Sequence, residues 1–171
     1  MQICYDHCHF VEKTSNKMNL DKIDLQILAL LQQDASVPVA AIAEKVRLSM
    51  TPCWRRIARL ESEGYIRKRV ALLDAARLNV AVTVFVAVKT SRHNQEWFEK
   101  FHAAVMKIPE VVEFYRMSGE MDYLLRVVVP DIAAYDAVYK KLIKTADLSD
   151  VTSSFAMEQI KYTTALPLNF V

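Results

Sequence analysis

The apolar residues of this chain change period near residue 79, and that change restricts the fold more than any other feature. From Leu20 they follow a helical repeat: Ile23, Ile27, Leu28, Leu30 and Leu31 share one face, with Asp21 and Asp24 in the first turn, where the helix dipole favours acids. From residue 79 the segment NVAVTVFVAVKT is dense in β-branched residues and reads as a strand. A helical front and a mixed back predict two small domains, and 171 residues suffice to bury a core in each.

The first helix should stop near Asp34-Ala35-Ser36, and a shorter one should follow Pro38, with Val39, Ile42, Ala43 and Val46 apolar. After a break at Arg47-Leu48 comes LSMTPCWRRIARLESEGYI. Ser49 suits an N-cap, and Pro52 is tolerated in the first turn, where its missing N–H is not needed. Cys53, Ile57 and Leu60 form a buried stripe, and Gly64 falls where a helix C′ residue takes positive φ. Arg67, Lys68 and Arg69 then lead into a β-segment. Two short helices around a tight turn, the second one basic, read as a helix-turn-helix.

Charge supports that reading. The chain carries a net +2, yet residues 18–73 hold nine basic against six acidic side chains, while residues 74–171 hold eleven against twelve. The excess faces an anionic partner, double-stranded DNA. Ser49, Met50, Thr51 and Arg55 are expected toward the groove, and Arg56 or Arg59 toward phosphates or a structural carboxylate. Arg67, Lys68 and Arg69 would add backbone contacts. Trp54 is expected to pack on the first helix.

Other chemistry is excluded or unsupported. Gly64 and Gly119 are the only glycines, so neither a P-loop nor a dinucleotide fingerprint can be written. Cys4, Cys8 and Cys53 are too few for a disulfide framework and fit a reducing cytoplasm. Cys4, His7, Cys8 and His9 lack the spacing of a common zinc site, so residues 1–17 are read as an extension without metal, Met18 being a possible alternative start. No apolar run reaches the roughly 18 residues of a membrane span. His93 and His102 have no nucleophile partner in the pattern, which argues against an enzyme and leaves cofactors as none.

The back half continues with a helix over residues 94–108 that Pro109 ends, then the strands EVVEFYRMSG and MDYLLRVVVP around a turn at Gly119-Glu120. A helix follows with Asp131 at its N-cap, and VTSSFAMEQIKY makes the last strand. The fold class is α+β, a winged helix-turn-helix (18–73), a linker (74–78) and a ferredoxin-like βαββαβ domain (79–171). The second sheet face needs a cover, and another copy of the chain would supply it.

LDKIDLQILALLQQDA, LSMTPCWRRIARLESEGYI, SGEMDYLLRVVVPD and FAMEQIK, in this order, resemble the Lrp/AsnC family of feast/famine transcriptional regulators. The resemblance implies dimers that assemble further, commonly to octamers, with an amino-acid effector bound where dimers meet. It places Gly119 and Asp122 in the effector loop, flanked by Met117 and Tyr123, with Thr152, Ser153 and Ser154 supplying hydroxyls. Asp122 would accept from the effector ammonium, and the Gly119 turn and the hydroxyls would serve its carboxylate. Apolar Met117, Met121 and Phe155 favour leucine or methionine. This chain departs from the family at Arg47, where the turn often has glycine, and at Val151, beside the hydroxyl run. The alternative is an architectural DNA-binding protein that senses no ligand.

Overall fold

Asp21 starts the first helix through a reciprocal capping box: its carboxylate accepts the Asp24 N–H at 2.8 Å, and the Asp24 carboxylate accepts the Asp21 N–H at 3.2 Å. In the computed structural model, which describes residues 20–145 and 147–170, this helix, α1, spans Lys22–Gln33. It is followed by α2, Val39–Lys45, and α3, Met50–Ser62. Ile27 and Leu31 of α1, Ile42 and Ala43 of α2, Val46, and Cys53, Ile57 and Leu60 of α3 make one buried cluster.

The α2–α3 turn closes without glycine. Arg47 holds φ 55°, its N–H donates to the Glu44 carbonyl at 3.1 Å, and the Leu48 N–H donates to the Ala43 carbonyl at 2.9 Å. That is a Schellman closure with arginine in the left-handed position, at a cost of about 1–2 kcal/mol. Gly64, at φ 80°, ends α3 as expected, its N–H bonded to the Glu61 carbonyl.

The second unit spans Leu72–Tyr162. Its elements are β1 (Val82–Lys89), α4 (Gln95–Val105), β2 (Val111–Arg116), β3 (Tyr123–Val129), α5 (Ile132–Thr145) and β4 (Asp150–Phe155), so the order is βαββαβ. The strands form one antiparallel sheet, ordered β2-β3-β1-β4. Val84, Val86 and Val88 of β1 and Leu125, Val127 and Val129 of β3 are fully buried with Phe101 and Leu142 of the helices. Asn94 caps α4 by accepting the Trp97 N–H at 2.8 Å, and Asp131 accepts the Ala134 N–H at 2.7 Å at the start of α5.

Three expectations are corrected. Residues 67–73 form no strand in the single chain, because no edge among the described residues pairs with them. β1 begins at Val82 rather than residue 79, since residues 75–79 form a turn with Asn79 at φ 56°. β4 stops at Phe155: Met157 and Ile160 are 97% and 91% exposed and lie on no neighbouring strand. From Thr163 the chain belongs to the first unit instead of the second. There the Gln32 side-chain amide donates to the Leu166 carbonyl at 3.2 Å and accepts its N–H at 2.9 Å.

Candidate nucleic-acid interface and effector turn

Cys53, Ile57 and Leu60 turn one face of α3 inward, which fixes what its other residues can reach. Met50, Thr51, Trp54 and Arg55, at i, i+1, i+4 and i+5, form an exposed patch over the first two turns. Ser49 stands at the N-cap, but its hydroxyl makes no capping bond and is exposed. Arg55 forms no ion pair among the described residues, and neither do Arg47, Arg67 or Lys68; all four are exposed. Arg69 is paired with Glu61 at 2.8 Å.

Arg56 and Arg59 lie on the other flank and turn inward. The Arg56 Nη1 reaches Asp21 Oδ2 at 2.6 Å and Asp24 Oδ1 at 2.8 Å, and the Arg59 Nη2 reaches Asp24 Oδ2 at 2.5 Å. Asp24 is 1% exposed. Of the two roles expected for these arginines, the structural carboxylate is realised, and their guanidiniums are committed inside the unit. The bonds to Asp24 and then Asp21 raise the Arg56 pKa, and the Asp24 N–H, ahead of Arg56, lowers that of Asp21. Burial pushes the Cys53 thiol upward, which suits a packing residue better than a reactive one.

Two α3-unit residues escaped the sequence reading. Trp54 does not pack on α1; it is 58% exposed. Asp24 is less a helix-dipole acid than the buried hub of two ion pairs. Its position one turn before Ile27 and two before Leu31, on the same stripe, was the available sign of burial.

In the second unit the predicted effector residues separate by face. Gly119 takes φ 112° in the β2–β3 turn, which the Met117 N–H closes by donating to the Asp122 carbonyl at 2.8 Å. The Asp122 Oδ2 accepts the Thr90 N–H at 2.8 Å, while Oδ1 lies 3.9 Å from His93 Nδ1. Thr90, missed from the sequence, thus orients the carboxylate. Tyr123 is 7% exposed and sits among Trp97, Phe98, Phe101 and Phe114, with ring centroids 5.6–6.0 Å away. It is a core residue beside the turn.

Thr152 and Ser154 pair with Ala87 and Phe85 on the sheet face away from the helices. Ser153 pairs with Val86 on the helix face and shares a short hydrogen bond with the Tyr135 hydroxyl. The three hydroxyls therefore do not line one surface. Phe155 pairs with Val84, at the far end of β1 from Asp122, and meets Tyr135 edge-on at 5.2 Å, so it is no neighbour of the turn.

The face carrying Thr152 and Ser154 also presents Phe85, Leu124, Val128 and Tyr115 around a polar centre. There Arg126 Nη2 meets Glu113 Oε1 at 2.6 Å, and the Tyr115 hydroxyl donates to Glu113 Oε2 at 2.9 Å. The hydrogen bond from Arg126 is the main cause of a lowered Glu113 pKa.

No group of three His, Cys, Asp or Glu side chains among the described residues could hold a metal, and no described helix is long and apolar enough to cross a membrane. Cys4, His7, Cys8, His9 and Met18 lie outside the described residues.

The AsnC-type helix-turn-helix domain model matches residues 20–61, and the Lrp/AsnC ligand binding domain model matches residues 83–166. The chain is 53% identical over 150 residues to the DNA-binding transcriptional activator DecR of Escherichia coli K12, covering 87% of this chain and 99% of that one. An AsnC family transcriptional regulator from Agrobacterium tumefaciens superposes with a TM-score of 0.85 at 59% identity, covering 88% of this chain and 98% of that one. A Neisseria meningitidis transcriptional regulator, solved as its L-Met complex, gives 0.85 at 37% identity over 89% and 99% of the two chains. A helix-turn-helix with an outward basic patch, joined to the βαββαβ sheet of the ligand-binding module, places this chain in the Lrp/AsnC family of DNA-binding transcriptional regulators.

Proposed function

We propose that this chain regulates transcription in the cytoplasm in response to a small apolar amino acid, methionine or leucine, bound at the Gly119–Asp122 turn where self-associated dimers meet. The observation that carries the reading is the Asp122 carboxylate. One oxygen is held by the Thr90 N–H and the whole group is 30% exposed, an acceptor oriented in advance for an ammonium. The Neisseria relative solved with L-Met supports an amino acid of this class.

Met117, 39% exposed, supplies apolar surface at the same turn. Thr152 and Ser154 stand on the open face of β4, so in one chain the hydroxyls and Asp122 do not converge. Pairing of the open faces, with further assembly to an octamer, would bring residues of different copies to one site. On the DNA side Ser49, Met50, Thr51 and Arg55 enter the groove, and Arg67 and Lys68 meet phosphates. Arg56 and Arg59 hold α3 against α1.

A thermal-shift panel of the twenty amino acids tests the reading. A ligand that binds the folded form at a hundredfold excess over its Kd stabilises it by about 2.7 kcal/mol. Methionine or leucine should raise the Tm of the wild type and leave Asp122→Ala unmoved. A flat panel, with DNA binding intact, would favour an architectural DNA-binding protein.

A further inference from the structure

Trp54 is the largest side chain of α3, and it faces water. It is 58% exposed, and Met50, one turn earlier on the same side, is 61% exposed. The contrast with Trp97 is sharp: that ring is 7% exposed and stacks on Phe101 at 5.0 Å, while Trp54 has no aromatic neighbour among the described residues. An indole can bury roughly 150–250 Å² of surface, so leaving one in water forgoes a large apolar contact. The pair adjoins Thr51 and Arg55, and on the opposite flank Arg56 and Arg59 are engaged by Asp24.

We propose that Trp54, with Met50, reads thymine by packing on its 5-methyl group in the major groove. The inference rests on the DNA-interface reading above and adds a source of base discrimination to it. A helix fills the major groove, and its first two turns come closest to the base edges. Of the four bases only thymine shows an apolar group there. An apolar patch inside a basic, hydroxyl-bearing surface is therefore complementary to a thymine flanked by phosphates. Thr51 and Arg55 supply polar contacts beside it, and Met50 can adjust its unbranched chain to the methyl.

The test uses a duplex recovered by the wild-type protein from a random-sequence pool, and copies of it with single thymines replaced by deoxyuridine. Fluorescence anisotropy gives Kd for wild type, Trp54→Ala and Trp54→Phe. Burying one methyl is worth roughly fourfold in affinity. One or two replacements in each half-site should weaken the wild type by about that factor, leave Trp54→Ala unaffected and keep part of their effect in Trp54→Phe. An exposed ring is not needed for folding, so the melting midpoint of Trp54→Ala should match the wild type. The proposal is overturned if the wild type selects no sequence, if it is indifferent to every deoxyuridine, or if Trp54→Ala is equally sensitive. A changed assembly size for Trp54→Ala by light scattering would also overturn it, because the patch would then be a protein contact. Wild type that binds no duplex even at low salt would sink the DNA-interface reading itself, an outcome distinct from binding without methyl dependence.

Discussion

Replacing Asp24 should cost the first unit a large part of its stability. Its carboxylate, 1% exposed, accepts from Arg56 at 2.8 Å and from Arg59 at 2.5 Å, and also receives the Asp21 N–H of the capping box. Removing one partner of a buried ion pair costs about 3–5 kcal/mol, because the charge left behind is no longer compensated. Here Arg56 keeps Asp21 at 2.6 Å and Arg59 keeps Glu63 at 3.8 Å, and their side chains are 28% and 44% exposed, so the remaining acids and water recover much of that loss. Loss of half the capping box adds about 0.5 kcal/mol, which gives about 2–3 kcal/mol for Asp24→Ala. Urea unfolding of the full chain, followed by far-UV circular dichroism, reads this as a lower midpoint. Asp24→Asn should be nearly as damaging, since its amide N–H₂ would face one guanidinium. The triple variant Asp24→Leu, Arg56→Met, Arg59→Met should return to within about 1 kcal/mol of wild type, because an apolar trio needs no desolvation of charge. An Asp24→Ala protein within about 0.5 kcal/mol of wild type would refute the hub.

Arg47→Gly should stabilise the chain by about 0.5–1 kcal/mol, the relief of a left-handed arginine less the added freedom of glycine when unfolded. The same variant should bind DNA more weakly, which a melting scan and an anisotropy titration check together. Glu113 has a lowered folded-state pKa, so its pair with Arg126 contributes stability above the ordinary glutamate value of 4.5 and loses it as pH falls through the folded value. Glu113→Gln should flatten that part of a Tm-against-pH curve between neutrality and acid. If Arg47, Arg55, Arg67 and Lys68, all exposed and without an ion pair among the described residues, make the phosphate contacts, the salt slope for two chains on B-DNA is about −7. A slope near about −11 would mean that Arg56 and Arg59 leave Asp24 for phosphates.

The first unit was legible from sequence where one local rule decides. The stripe of Cys53, Ile57 and Leu60, the cap position of Ser49 and the left-handed Gly64 follow from helix spacing and termination, and all three hold. Trp54 and Asp24 were misjudged for a shared reason. Residue type suggested that the indole goes inside and the carboxylate outside, but helix phase decided the opposite. Asp24 shares the phase of Ile27 and Leu31, so burial was imposed on it. Arg56 and Arg59 are the compensation, and they occur on a helix that is distant in sequence, where no local pattern could reveal them.

The effector residues divide for a different reason. A hydroxyl-rich run such as Thr152-Ser153-Ser154 looks like one donor cluster on paper, yet a strand sends alternate side chains to opposite faces. Which face each residue takes depends on register against β1, and two further strands and two helices separate β1 from β4 along the chain. The pairing of Ser153 with Val86 sends that hydroxyl to Tyr135, where it satisfies a buried phenol whose pKa burial has raised. Thr152 and Ser154 are then left on the open face beside Ala87 and Phe85. Asp122 is set by a different long-range contact, the Thr90 N–H at the end of β1. The two sets of polar groups thus come from one central strand but leave it in different directions. A single ligand could engage both only if a second copy of the chain presented one of them, which makes self-association a condition of sensing in this reading.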